Sequence, residues 1–148
     1  MTDIELRAPR VADLEFVVGA GLTHHFQLIG YIAGFPMHDL ENMRKKDFTP
    51  YQNVYDKHFE QVNDINIMDE DDIYATYELT HPWDEAGKER IVIRQPLVKD
   101  ELDLTGISNG IKRERIWLSR LINKDPDWVS NMHLADYQMI TFALRFLD

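Results

Sequence analysis

The sequence contains no cysteine and no long hydrophobic run. Without cysteine the chain cannot form disulfides, thiolate zinc sites or a cysteine nucleophile. No stretch approaches the roughly 18 consecutive apolar residues that span a bilayer. The first ten residues alternate in charge and do not form the basic and apolar regions of a secretory signal. We therefore expect a soluble, cytoplasmic protein with no membrane partner.

Basic residues are scarce as well. The 148 residues include 16 Lys and Arg against 26 Asp and Glu, a net charge of −10. Because nucleic-acid binding depends on clustered positive charge, we expect no nucleic-acid partner. The acidity is concentrated in residues 61–90, which carry −7, whereas residues 91–148 are neutral. With 44% hydrophobic residues, the chain has enough apolar material for a packed core.

Signatures of catalysis and of cofactor binding are also missing. The six histidines lack metal-ligand spacing, and the three serines lack a Gly-x-Ser-x-Gly setting. No glycine-rich phosphate loop occurs. We therefore expect no enzyme, no cofactor and no metal site. The sequence leaves three functional hypotheses. The weakest is an enzyme whose active site is built from residues that we interpret as structural.

Hydrophobic periodicity predicts a mainly helical chain with few strands. Residues 4–11 alternate and predict a short strand, followed by a short helix over 12–18. Residues 73–96 alternate on both sides of a turn and predict a β-hairpin. Residues 60–72 lose the helical period and predict an acidic linker. The remaining helices are predicted at 23–34, 37–43, 48–59 (with Asp47 or Thr49 as N-cap), 97–104, 111–123, 125–132 and 133–148.

An internal repeat is the most informative feature of the sequence. Residues 4–13 (IELRAPRVAD) align without gaps with residues 91–100 (IVIRQPLVKD) and share five identities at an offset of 87 residues. A chance likeness between two small α+β units is the alternative explanation. Further matches at offsets of 89 to 90 pair Leu28 with Leu118, Ile32 with Ile122, Pro36 with Pro126, Met43 with Met132, Asp47 with Asp136, and Phe48 with Tyr137.

The repeat predicts an α+β, predominantly helical protein made of two tandem related units. The units span residues 1–60 and 73–148, joined by the acidic linker 61–72. Each has a short strand or β-hairpin followed by three to four helices. Because a unit of this size buries little apolar surface alone, we expect the two to pack as a pseudo-dimer. Two salt bridges are predicted to join strand to helix, Arg7 with Asp13 and Arg94 with Asp100.

Residues 73–148 also follow a pattern known from a protein family. A strand ends in proline, a turn holds glycine, an Arg-x-Pro motif and an Asp follow, and an Asp-Tyr pair opens a last helix ending in Phe-Leu. These positions are Pro82, Gly87, Arg94, Pro96, Asp100, Pro126, Asp136, Tyr137, Phe146 and Leu147. The pattern resembles the tail assembly chaperones of contractile-tailed bacteriophages. Residues 4–59 repeat it without the first hairpin strand, whereas family members usually have a single unit.

The resemblance implies a non-enzymatic protein of the infected bacterial cytoplasm, absent from the mature particle. It implies that the chain coats the tape-measure protein and hands it to tail-tube subunits, which makes both proteins expected partners, and it leaves homo-oligomers open. The alternative is a structural tail or baseplate component. The candidate structural or partner-binding residues are Arg7, Pro9, Asp13, Arg94, Pro96, Asp100, Met132, Asp136, Tyr137 and Met139.

Overall fold

Helices dominate the described part of the chain and pack against one side of a small three-stranded antiparallel sheet. The computed structural model describes residues 4–17, 21–85 and 88–145. The predicted α+β, mainly helical class is confirmed. In chain order the elements are the 3-10 helix η1 (Val11–Phe16), α1 (Gly21–Ala33), α2 (Met37–Asn42), α3 (Lys45–Lys57), β1 (Asn66–Ile67), β2 (Ile73–Tyr77), β3 (Ile91–Arg94), α4 (Val98–Leu102), α5 (Gly110–Ile122), α6 (Pro126–Ser130) and α7 (Leu134–Leu144).

The predicted hairpin is formed by β2 and β3, which pair antiparallel with Tyr77 opposite Ile91. Ile91 and Ile93 are buried while Val92 between them is exposed, as the period-two pattern requires. The turn residue Gly87 lies outside the described residues. The segment predicted as a linker contributes β1, which pairs with β2 in the order β1-β2-β3. Residues 61–72 therefore include an edge strand of the sheet.

The N-terminal segment differs from its prediction. Residues 4–9 form no strand, and Arg10 makes only an isolated antiparallel bridge with His133. The helix predicted over 12–18 is the 3-10 helix η1, and residue 18 lies outside the described ranges. The Pro9 carbonyl accepts the Leu134 N–H at 2.9 Å, and the Val11 N–H donates to the Met132 carbonyl at 3.1 Å. The segment thus docks on the second half by these few bonds rather than by a ladder.

Helix α3 begins three residues earlier than the sequence predicts. It starts at Lys45 with Arg44 as N-cap, so the predicted caps at Asp47 and Thr49 are wrong. The Thr49 hydroxyl instead donates to the Lys45 carbonyl, at 2.8 Å. Pro50 therefore lies inside the helix, where its missing N–H costs one backbone hydrogen bond close to the first turn.

A single hydrophobic cluster joins the two halves of the chain. The first half supplies buried residues of η1, α1 and α3, and the second supplies both hairpin strands and the inner faces of α5, α6 and α7. The described residues of 1–60 and 73–148 therefore share one core. Its fully or almost fully buried members include Val11, Leu28, Ile29, Tyr77, Ile93, Leu118, Leu121, Val129, Met132, Leu134, Ile140 and Leu144.

The ends of α1 and α5 have the same backbone geometry at an offset of 89 residues. Gly34 and Asn123 follow the two helices, and both have left-handed backbones, with φ of 83° and 55°. Gly34 donates its N–H to the Tyr31 carbonyl at 3.2 Å, and Asn123 donates to the Arg120 carbonyl at 3.4 Å. Both helices therefore stop by the same left-handed turn, which glycine and asparagine adopt most readily.

The short helices α2 and α6 have similar hydrogen bonds at the same offset of 89 residues, which corrects three matches in the sequence alignment. The Leu40 N–H donates to the Pro36 carbonyl at 3.0 Å, and the Val129 N–H donates to the Asp125 carbonyl at 3.2 Å. Pro36 therefore corresponds in the structure to Asp125. The three matches aligned at an offset of 90, Leu28 with Leu118, Ile32 with Ile122 and Pro36 with Pro126, are therefore out of register by one residue.

One pair of corresponding positions makes contacts of different chemistry. Between η1 and α1, the rings of Phe16 and Tyr31 stack with centroids 4.9 Å apart. At the corresponding positions after α4 and in α5, Arg120 donates to the Asp103 carboxylate at 3.0 Å. A stacked aromatic pair in the first half thus corresponds to an ion pair in the second.

Candidate binding surfaces

The predicted ion pair between Arg7 and Asp13 is present. The Arg7 guanidinium donates to both carboxylate oxygens of Asp13, at 2.8 and 2.9 Å. The same carboxylate accepts the Arg10 N–H at 2.8 Å, so it also satisfies the free backbone donor at the start of η1. Asp13 is buried, and its partner Arg7 is half exposed. The motif therefore fixes the turn into η1 and leaves no free carboxylate for chemistry.

The predicted pair between Arg94 and Asp100 has the same geometry. The two Arg94 donors lie 2.9 and 2.5 Å from the Asp100 oxygens, and the Leu97 N–H donates to the same carboxylate at 2.8 Å. The hydrogen bonds from Arg94 hold the pKa of Asp100 below its usual value, although burial opposes this. The contact joins the end of β3 to α4, as predicted.

Asp136 and Tyr137 lie at the start of α7 and face the hairpin and α5. Asp136 is fully buried and accepts hydrogen bonds from the Tyr77 hydroxyl at 2.6 Å, the Thr80 N–H at 2.9 Å and the His81 N–H at 3.0 Å. The buried Tyr137 hydroxyl donates to Glu114. Burial raises the pKa of Tyr137, and the nearby Glu114 carboxylate adds to this. Both residues therefore anchor α7 to its neighbours.

Three histidines form a stack where the N-terminal segment, the hairpin loop and α7 meet, with His133 buried and His58 and His81 partly buried. The rings of His81 and His133 stack with centroids 4.0 Å apart, and the His58 ring lies 5.7 Å from His133. His133 Nδ1 accepts the Ala135 N–H at 3.0 Å and so caps α7. The pKa of His133 is lowered to about 4, mainly by burial; the neighbouring His81 and His58 add to this lowering, and Asp136 opposes it. His133 is therefore neutral at pH 7.

We expect acid to destabilise the fold through this stack. The pKa of His133 falls from an ordinary 6.5 to about 4 on folding, so the unfolded chain binds the extra proton first. Stability is complete above about pH 6.5 and falls towards pH 4, by about 2 kcal/mol between pH 7.5 and pH 5. Urea unfolding at the two pH values measures the loss.

A matched variant assigns the pH dependence to the histidine. His133→Asn keeps an acceptor for the Ala135 N–H but does not titrate in this range. We expect it to lower stability at neutral pH and to flatten the profile between pH 7.5 and pH 5. An unchanged slope would show that other groups cause the loss.

Two of the open grooves among the described residues expose apolar side chains and are named after a helix that lines them. The α7 groove has a volume of about 410 Å³. The α2 groove has a volume of about 480 Å³ and lies between α1, α2 and the start of α3. The α7 groove is lined by Val62, Ala135, Gln138, Met139, Thr141, Phe142 and Arg145, and the α2 groove by Phe26, Gln27, Met37, Leu40, Glu41, Met43, Lys45 and Phe48.

The remaining candidate residues are divided between core and surface. Met132 is fully buried and belongs to the core, whereas Met139 lines the α7 groove. Pro9 is buried and its carbonyl accepts the Leu134 N–H, while Pro96 is only partly buried. The structure thus brings Pro9 and Met132 together at the contact between the two halves, and it places Pro96 and Met139 at the surface.

The described ranges contain no convergent metal-ligand set. Within residues 4–17, 21–85 and 88–145, no three His, Asp or Glu side chains converge as metal ligands would. Nor does this part of the chain contain a helix whose length and apolar character would let it cross a membrane.

Sequence reasoning missed the histidine stack and the ion pair between Glu15 and Arg115. His58, His81 and His133 are far apart in the chain, and neither their spacing nor their neighbours signal a contact. Arg115 also donates to the Ser130 hydroxyl, at 2.9 Å, and so joins η1, α5 and α6.

Comparisons with protein-family models, curated proteins and solved structures gave no match to this chain.

Proposed function

We propose that the chain is a non-enzymatic binding protein of the tail assembly chaperone type, which holds the apolar helices of a tape-measure protein in the bacterial cytoplasm until tail-tube subunits assemble on them. The observation that carries this proposal is the character of α7. Its residues are apolar on nearly every side, yet one face borders the open α7 groove. A helix of this kind is ordinarily buried all round.

The exposed face of α7 presents a large apolar contact. Phe142 is 59% exposed, and the partly buried Met139 lies one turn earlier on the helix. Thioether and aromatic side chains adapt to irregular apolar partners. Gln138 and Arg145 supply a polar rim that can bond to the exposed carbonyls of a bound helix end. The groove therefore suits an amphipathic helix that would aggregate if left uncovered.

The tandem arrangement forms part of the same proposal. We infer that residues 1–60 and 73–148 are copies of one unit, packed as a pseudo-dimer around a common core. The two bidentate Arg–Asp motifs, the matching left-handed helix ends and the shared hydrophobic cluster support this interpretation. The net charge of −10 keeps loaded complexes apart and in solution.

Phe142→Glu tests the client site. Placing a charge in the α7 groove is expected to weaken binding of the tape-measure protein about 30-fold, because an aromatic anchor contributes about 2 kcal/mol. The soluble yield of the co-expressed client and a pull-down from the soluble fraction measure the effect. Phe16→Glu, at a position 62% exposed, is the matched control and should leave binding intact. Equal losses for both variants would argue against the α7 groove.

The alternative function, a structural tail or baseplate component, predicts a different location for the protein. Mass spectrometry of purified particles separates the two, because a structural component is present in stoichiometric amount and a chaperone is absent. The flanking genes give an independent check. A tube-protein gene upstream and a long tape-measure gene downstream are expected for the chaperone.

A further inference from the structure

The contact between η1 and the second half of the chain has two sides, and each side has a counterpart elsewhere in the molecule. The two counterparts are not joined to each other. In the contact that is made, Pro9 accepts from Leu134 and Val11 donates to Met132. Val11 is fully buried as a result.

Helix α4 is built like η1, yet its apolar side chains are exposed. Both elements begin at an Arg–Asp motif with the same pattern of hydrogen bonds. Val98, the counterpart of Val11, is 75% exposed. Leu97 and Leu102 on either side of it are 58% and 62% exposed. The element that would dock is therefore formed but uncovered in the described structure.

The receiving surface also has an uncovered counterpart. Segment 43–45 corresponds to segment 132–134 at the offset of 89 residues. Arg44 has φ −68° and ψ 139°, and His133 has φ −58° and ψ 137°, so both segments run extended into the next helix. Segment 43–45 borders the open α2 groove, where Leu40 and Met43 are partly exposed. Their counterparts Val129 and Met132 are fully buried, in the half on which η1 docks.

We propose that this chain assembles with a second copy of itself, in which α4 of one copy occupies the α2 groove of the other. The internal contact fixes the expected register. The Val98 N–H donates to the Met43 carbonyl of the neighbouring copy, and that copy's Lys45 N–H donates to the Pro96 carbonyl. Docking buries Val98 and Leu102, and it continues between molecules the contact that η1 makes within one.

The side chains at the two uncovered surfaces match in chemistry. Within the chain, Glu15 on η1 pairs with Arg115 on α5. The counterparts of these two residues are Leu102 on α4 and Phe26 in the α2 groove. Both positions are therefore charged in the internal contact and apolar in the proposed one. The exposed segment 44–46 beside the groove carries three positive charges, whereas residues 98–103 carry a net negative charge. The apolar contact and the charge both favour a second copy as the occupant.

The two surfaces are different patches of one molecule, so the interface is heterologous. Each copy has one α4 and one α2 groove. When two copies bind, one α4 and one α2 groove stay unoccupied, unless the rotation that relates the copies closes them into a dimer or a ring. We therefore expect the assembly to grow with concentration up to the size at which the arrangement closes.

Complementation between two variants tests the proposal in sedimentation-velocity experiments without any client. Val98→Asp removes the docking element, and Met43→Glu blocks the groove. Each variant alone is expected to be a folded monomer by circular dichroism, and the mixture is expected to form a one-to-one heterodimer, since each supplies what the other lacks. Phe16→Asp, which introduces the residue found at the corresponding position 103, should assemble like the parent chain.

Three results would overturn the proposal: a parent chain that stays monomeric at high concentration, assembly that survives Val98→Asp, or a mixture of the two folded variants in which no heterodimer forms. If a variant fails to fold, Leu102→Asp and Met37→Glu replace it, because both alter exposed side chains of the same two surfaces. A failure in this experiment would leave client binding at the α7 groove untouched, since the two use different surfaces.

Discussion

Replacing Asp136 by alanine is expected to destabilise the fold by about 4 kcal/mol, since the loss of a buried charged acceptor leaves its donors unpaired. Asp136 is fully buried, and its carboxylate accepts from the Tyr77 hydroxyl and from the backbone N–H groups of Thr80 and His81. Alanine leaves the N–H groups of Thr80 and His81 without this acceptor and leaves the Tyr77 hydroxyl with only its 3.4 Å contact to Thr80 Oγ1. Urea unfolding monitored by tryptophan fluorescence measures the change.

The matched control is Asp47→Ala. Asp47 is the counterpart of Asp136 at the start of α3, but it is exposed. Its contribution is limited to the interaction of a carboxylate with the helix N-terminus, and we expect a loss below about 1 kcal/mol. Asp136→Asn, which retains one carbonyl oxygen as acceptor, should lie between the two. Similar losses for Asp136→Ala and Asp47→Ala would show that the hairpin loop does not depend on this carboxylate.

Asp100→Ala is expected to cost about 3 kcal/mol, the second-largest effect. The variant removes two hydrogen bonds from Arg94 and leaves the Leu97 N–H without its acceptor. Because the native pKa of Asp100 lies below its usual 3.8, its contribution is complete above that value and is lost as the pH falls through the native pKa. The difference between parent and variant should therefore shrink in strong acid, which a loss of packing alone would not produce.

Two further variants separate the motif from an ordinary surface ion pair. Arg94→Met should cost about 1.5 kcal/mol, less than Asp100→Ala, because Arg94 is partly exposed and screened by solvent. Lys99→Met breaks the exposed pair with Asp103 and should cost less than about 0.5 kcal/mol. Asp13→Ala should match Asp100→Ala, since the geometry is the same. Arg94→Met with no measurable loss would contradict a stabilising role for the motif.

Local signals in the sequence predicted the elements whose causes are local. Alternation located β2 and β3, and helical periodicity located the long helices within a few residues. The six-residue spacing from Arg7 to Asp13 and from Arg94 to Asp100 predicted both ion pairs correctly, because the proline between them limits how the backbone turns. The Gly34 stop of α1 followed from the same local chemistry.

Contacts between distant segments could not be predicted. Residues 4–9 alternate like a strand, but alternation cannot show whether a neighbouring strand exists. Here Leu6 packs against the hydrophobic core without one. Asp69–Asp72 indicated a solvated linker, although the adjoining β1 pairs with β2. The polarity of His133 likewise hid its burial, since the three rings that shield one another come from separate parts of the chain.

In the first half of the chain, η1 is joined to α1 by the stacked rings of Phe16 and Tyr31. In the second half, the end of α4 is joined to α5 by the ion pair of Asp103 and Arg120. The two halves should therefore respond differently to ionic strength. Salt screens an exposed ion pair over about 8 Å at physiological concentration, but it leaves stacked rings unaffected or slightly stabilised. Raising the salt concentration should therefore loosen the packing of α4 against α5 while that of η1 against α1 holds. Either chemistry holds two neighbouring elements together, and the ion pair makes the second half of the molecule the one that is sensitive to its ionic surroundings.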